Sequence, residues 1–194
     1  TSARTCSVSS YHGWTHAPKS QGGTDPIPLQ VNSLPYCYMR WIGSESVAAD
    51  TLSNPATIGD QDPYEEAFIY DPDGLANFSC DRETGIIDVG ELGLYYIHAT
   101  AEWNGTGSAG DTLGVVIDKG ASGSFSTNRT SNSITADSTN QNMAIPVSRF
   151  YFLGFGTASF RTLVYHTDSG GNDIGTVWIH IVQLNAATDG EFDP

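Results

Sequence analysis

Basic residues are scarce in this chain of 194, with 8 Lys and Arg against 22 Asp and Glu and a formal charge of −14. Such a surface repels a polyphosphate backbone, so nucleic acid is not an expected partner. Long apolar runs are missing too. No segment approaches the ~20 residues that cross a bilayer as a helix, and no basic-then-apolar leader stands at the front, so no membrane partner is expected. Thr1-Ser2 at the start fits a trimmed initiator Met or a cleaved leader, and the chain reads as complete. Helix formers never gather at a 3.6-residue spacing, so little helix is expected.

Cysteine is limited to Cys6, Cys37 and Cys80 at irregular spacing, and a framework of disulfides would leave one over. Buried free thiols are the default reading, with a Cys6–Cys37 or Cys37–Cys80 bridge left open. No CxxC pair supports a zinc site. Asp71, Asp73 and Asp81 cluster in a turn region with the hard oxygens that calcium takes, but their spacing is not that of an EF-hand loop, and solvation of a turn is the simpler account. No resident metal or cofactor is expected.

Catalytic signatures are equally lacking. No Gly-x-Ser-x-Gly elbow occurs, and its nearest approach, Gly120-Ala121-Ser122-Gly123-Ser124, ends in the wrong residue. Glu65 and Glu66 are adjacent and need not converge as a glycosidase pair. Neither a phosphate-binding loop nor a dinucleotide fingerprint is present, so no catalytic residue is assigned.

What the chain does have is turn chemistry and short apolar runs. Its 21 Gly and 9 Pro, with many Ser, Thr, Asn and Asp, favour strands joined by turns. Residues 1–35 show no period and read as an extended arm. Strands are expected at Tyr36–Ile42, Ala67–Tyr70, Gly85–Val89, Leu92–Trp103, Leu113–Asp118, Met143–Val147, Phe150–Leu153, Ala158–His166 and Thr176–Leu184, with an acidic tail over 186–194. In Leu92–Trp103 the residues Tyr95, Ile97, Ala99, Ala101 and Trp103 alternate with Leu94, Tyr96, His98, Thr100 and Glu102. The first set is a core face; the second mixes apolar and polar groups, which suits a contact between subunits. The Ser/Thr/Asn-rich stretch 121–141 reads as an exposed loop, and Ser131, Asn132, Asp137 and Asn140 are its candidate binding residues.

About eight or nine short strands without βαβ alternation point to an all-β sandwich. Gly93-Leu94-Tyr95-Tyr96-Ile97 then resembles the Gly-x-Tyr-x-aromatic/aliphatic signature of the C1q and tumour-necrosis-factor jelly rolls. Phe68, Asp73 and Phe78 upstream and the closing run Val177–Leu184 downstream are similar to the same pattern, over residues 36–185. Ile87 and Ile97 stand where C1q members place phenylalanine. The resemblance implies an all-β jelly-roll sandwich with an extended N-terminal arm, Gly93, Tyr95 and Ile97 as its core signature, and assembly as a homotrimer. Carried over position by position, Tyr96, His98, Trp178, Val182 and His180 would face the threefold axis. A His98 cluster there would gather like charges on protonation near pH ~6.

Two functions fit this picture. The first is a trimeric capsid decoration or cement protein on the virion surface of a tailed phage or similar virus, partnered by itself and by the major capsid protein or other virion proteins. The second is a receptor- or glycan-binding module, such as a tail-fibre tip or a secreted C1q-like ligand.

Overall fold

Period-two patterning becomes strands throughout, and no α-helix occurs among the described residues. The structure, a computed structural model, describes residues 7–8, 14–15, 34–58, 63–105, 108–121, 123–137, 142–154, 156–167 and 172–186. Most of the expected arm, and the tail beyond Ala186, lie outside them. In the N-terminal unit, Thr1–Leu34, β1 (Ser7–Val8) pairs antiparallel with β2 (Trp14–Thr15). The second unit, Pro35–Pro194, holds β3 (Tyr36–Val47), β4 (Glu66–Tyr70), β5 (Phe78–Asp81), β6 (Ile86–Val89), β7 (Gly93–Trp103), β8 (Thr112–Ala121), β9 (Ser124–Thr135), β10 (Met143–Leu153), β11 (Ala158–His166) and β12 (Asn172–Ala186).

These strands form two five-stranded antiparallel sheets, ordered β10-β7-β12-β3-β4 and β5-β6-β11-β8-β9. Strands adjacent in each sheet are mostly distant in sequence, as in a jelly roll. Between the sheets, Cys37, Met39 and Trp41 of β3, Tyr95, Ile97 and Trp103 of β7 and Val177, Ile179 and Ile181 of β12 meet Ile87 of β6, Leu113, Val115 and Ile117 of β8 and Phe160 of β11. All are buried to 1% exposure or less. Each such side chain stabilises the fold by roughly 1.5–3 kcal/mol. The polar end of Tyr95 is paired inside: its hydroxyl donates to the Glu91 carbonyl at 2.9 Å and accepts from Gln183 Nε2 at 2.9 Å.

Several boundaries differ from the sequence expectation. The stretch 121–141 is not one long loop, since β9 runs for 12 residues against β8. Ser131 and Asn132 therefore sit on a strand, and Asp137 lies just past its end, while Asn140 is outside the described residues. Its polar composition follows from its place at a sheet edge, where one side lacks a strand partner and polar groups discourage further pairing. Met143–Val147 and Phe150–Leu153 are one strand, β10. Pro146 is tolerated inside it because β10 is also an edge strand. The short β5 had not been anticipated.

Cys37 of β3 is joined to Cys80 of β5 as a disulfide between the sheets, which replaces the free-thiol reading for this pair. Cys6 lies outside the described residues. The bridge spans a sequence separation of 43. Constraining the unfolded chain over such a loop stabilises by about 4 kcal/mol. Cys80→Ala is thus expected to lower Tm by roughly 8–15 °C, read by thermal melting. Reductant should shift the wild type by a similar amount and leave the variant unmoved; a wild type indifferent to reductant would contradict the bridge.

Candidate functional site

The second row of β7 looks away from the core, and the sheet register builds a continuous surface around it. Tyr96 stands opposite Val182, His98 opposite His180 and Thr100 opposite Trp178 across the β7–β12 pair. On the far side of β12, Tyr36 faces Val182 and Tyr38 faces His180. β10 adds Phe150 beside Tyr96, and β4 adds Phe68 and Tyr70 beside Tyr38 and Tyr36. All five residues expected at a threefold axis, Tyr96, His98, Trp178, Val182 and His180, share this face, and each is half-buried. Tyr36, Phe68, Tyr70 and Phe150 belong to it as well and had not been expected there. The signal was available in the alternation of Tyr36 and Tyr38 with the buried Cys37, Met39 and Trp41.

Aromatic rings cover the face from edge to edge. Tyr96 lies 5.1 Å from Phe150, and Tyr36 lies 5.7 Å from Phe68, 5.6 Å from Tyr70 and 5.5 Å, edge-on, from His180. Phe150 is nevertheless 60% exposed and Phe68 53%. Contiguous apolar surface of this kind marks a contact face, because water solvates it poorly and no strand of the second unit covers it.

The electrostatics of the face centre on two histidines. His98 shares a hydrogen bond at 3.1 Å between its Nε2 and the Thr100 hydroxyl. Burial, and then electrostatic repulsion from the neighbouring His98, hold His180 below the ordinary imidazole range. Around it stand His98 on β7 and Tyr36 and Tyr38 on β3, and further along the face is the exposed pair of Arg40 and Glu66 at 2.6 Å. Burial also pushes the Tyr38 phenol up, an effect that Arg40 opposes and Glu66 reinforces.

Neither a family model nor a curated protein matches the chain. Among solved structures, the fold overlays on the globular domain of zebrafish complement 1qA with a TM-score of 0.51 at 11% identity, covering 79% of this chain and 99% of that one. It is also similar to Eiger TNF of S. frugiperda (TM-score 0.48, 14% identity, 83% and 98% covered) and to murine APRIL at pH 8.0 (0.46, 10%, 78% and 99%). The domain is a C1q/TNF-like jelly roll.

In this C1q/TNF-like domain Gly93 opens β7 with φ +154, and a Cβ there would run into the Asn185 carbonyl oxygen of β12. Tyr95 and Ile97 point into the core with no exposure. The remaining candidates lie apart from the aromatic face. Ser131 and Asn132 are exposed on the other sheet's β9, where Asn132 donates to the Pro146 carbonyl of β10 at 2.7 Å. Asp137 is exposed beyond the end of β9.

As for the three turn aspartates, Asp71 accepts from the amides of Ala76 and Phe78 at 2.9 and 3.2 Å. Asp81 accepts from the Glu83 amide at 3.0 Å and the Thr84 hydroxyl at 2.7 Å. Both carboxylates hold turns, and the Asp73 side chain is outside the description. Among the described residues no three His, Cys, Asp or Glu converge, and no helix is long and apolar enough to cross a membrane.

Proposed function

We propose that the chain is the self-assembling unit of a binding module, a homotrimer closed through the aromatic face of the β10-β7-β12-β3-β4 sheet. The observation that carries this is the exposure of Phe150, Phe68, Tyr70 and Phe152 around Tyr96 and the two histidines, on a sheet whose opposite face is packed into the core along β7, β12 and β3. The C1q/TNF-like resemblance supports the same stoichiometry. Assembly through this face leaves the second sheet outward, and that sheet carries a groove suited to a small ligand. The groove favours an external binding role over capsid decoration, which would need broad contact with a particle. Saturable binding of the free trimer to host cells supports the first role; uptake onto undecorated capsids supports the second.

Sedimentation velocity tests the assembly and its pH response together. A three-chain species is expected at about pH 8 and a weaker one at about pH 5. For the folded domain the sign follows from linkage: the lowered pKa of His180 means that the unfolded chain binds protons more readily, and in an assembly protonation would gather like charges from each copy at the face. Stability is therefore full above the ordinary imidazole value of about 6.5 and drains as pH falls through it toward the lowered value. Equal association at the two pH values would remove the histidine part of the reading, and a single-chain mass throughout would remove the trimer.

A further inference from the structure

Outward-facing residues of β8, β9 and β11 and the connection after β3 line an open groove of about 420 Å³, among them Asp50, Thr51, Leu52, Arg129, Ser131 and Tyr165. That volume falls in the range of small-ligand sites. The wall formed by residues 50–52 is fixed in place, since the Asp50 amide donates to the His166 carbonyl at 2.8 Å and Ser53 exchanges backbone hydrogen bonds with Val164 at 2.9 Å. Tyr165 lies across Gly114, and a Cβ at that glycine would collide with its ring. The missing side chain lets the half-buried ring lie down on the sheet as a platform.

One charged group in the lining is tied to a buried carboxylate. Arg129 donates through Nε to Asp118 at 3.2 Å, and Asp118, which is fully buried, takes two further hydrogen bonds from Arg161 at 3.1 and 2.9 Å. The Arg161 guanidinium rests 3.9 Å above the Phe125 ring. Two guanidiniums on one carboxylate leave one net positive charge in a chain of −14. Among the described residues the terminal nitrogens of Arg129 make no hydrogen bond, so its planar fork is available to an oxyanion. A single surplus charge suits a monoanion, and Asp50 on the opposite wall disfavours a dianion but accepts from hydroxyls.

We propose that this groove binds a sugar bearing a carboxylate: the Arg129 fork takes the carboxylate, Tyr165 supports the apolar face of the ring, and Asp50, Thr51 and Ser131 exchange hydrogen bonds with its hydroxyls. The assignment builds on the reading of the chain as a binding module, but the groove lies within one copy, so binding and assembly are read separately.

The test is calorimetric titration of the full chain with a glucuronate-terminated disaccharide, with sialyllactose, and with neutral lactose and the methyl ester of the uronate as controls. The expected result is saturable binding of at least one acidic sugar, at least tenfold weaker for the neutral controls and at least tenfold weaker in Arg129→Gln. Ser131→Trp, which fills the groove without touching Asp118, should abolish binding with the melting temperature unchanged, which guards against a folding defect in the arginine variant. Absence of saturable binding by either acidic sugar, indifference to both substitutions, or equal competition by inorganic phosphate would overturn the proposal. Absence of acidic-sugar binding by the unaltered chain with a three-chain sedimentation mass counts against the groove alone; single-chain mass with binding intact counts against the trimer alone.

Discussion

Tyr96→Asp is expected to turn the three-chain species into single chains while the far-ultraviolet circular dichroism stays that of the folded domain. Tyr96 is half-buried, points away from the core, and within its own chain stacks chiefly on Phe150, itself 60% exposed. Removing it therefore costs the single copy only about 1 kcal/mol, the scale of one aromatic pair. In the assembly the same change puts a carboxylate from each copy into an apolar contact without a partner, and an unpaired charge there costs several kcal/mol. Repeated by symmetry, that outweighs ordinary association energies. Ser79→Asp, exposed on β5 of the other sheet, adds the same charge and should leave the mass unchanged. A Tyr96→Asp protein that still sediments as three chains would place the contact elsewhere.

How much of this was legible in the sequence depended on how strictly each strand alternates. The reading of Leu92–Trp103 and Ala158–His166 came out within a residue of β7 and β11, because both are inner strands, paired on each side, whose core rows are mainly apolar. The same alternation in β7 separated Tyr95 and Ile97 from Tyr96 and His98 before any coordinates. Edge strands were harder to see. β9 pairs on one side only, so Ser, Thr and Asn suffice along it and its composition imitates a loop. Ser148 and Arg149, both exposed on this edge strand, interrupted the apolar run of β10, and with that went the recognition of Phe150 as a neighbour of Tyr96.

The outer groove was out of reach for a different cause. Asp118, Arg129 and Arg161 come from three strands, and only the β8–β9 and β8–β11 registers bring them into one row. A buried carboxylate between two guanidiniums leaves no trace in local spacing. Ser131 was picked out for its polar surroundings, and its place in the groove rests on the fold alone.

Gly93→Ala is expected to destabilise the domain by about 4 kcal/mol or more, since backbone strain and overpacking each cost roughly 1–3 kcal/mol and here act together. Thermal melting should show a fall in Tm of roughly 10–15 °C. The backbone at Gly93 has φ +154, which L side chains rarely adopt, and the obstacle is the main-chain oxygen of Asn185, which cannot swing aside as a flexible side chain would. Gly110→Ala separates the two causes: Gly110 has φ +98 with nothing within 4 Å of the added atom, so only the backbone term applies and the loss should be about 1 kcal/mol. Comparable losses at both positions would mean that close approach of β7 to β12 is not what requires glycine. If Gly93 alone is costly, relief must come from shifting β12 against β7, the pair that sets His180 opposite His98 and Val182 opposite Tyr96. Association of the Gly93→Ala chains should then weaken even at temperatures where each copy remains folded, which ties the turn at the start of β7 to the surface it presents.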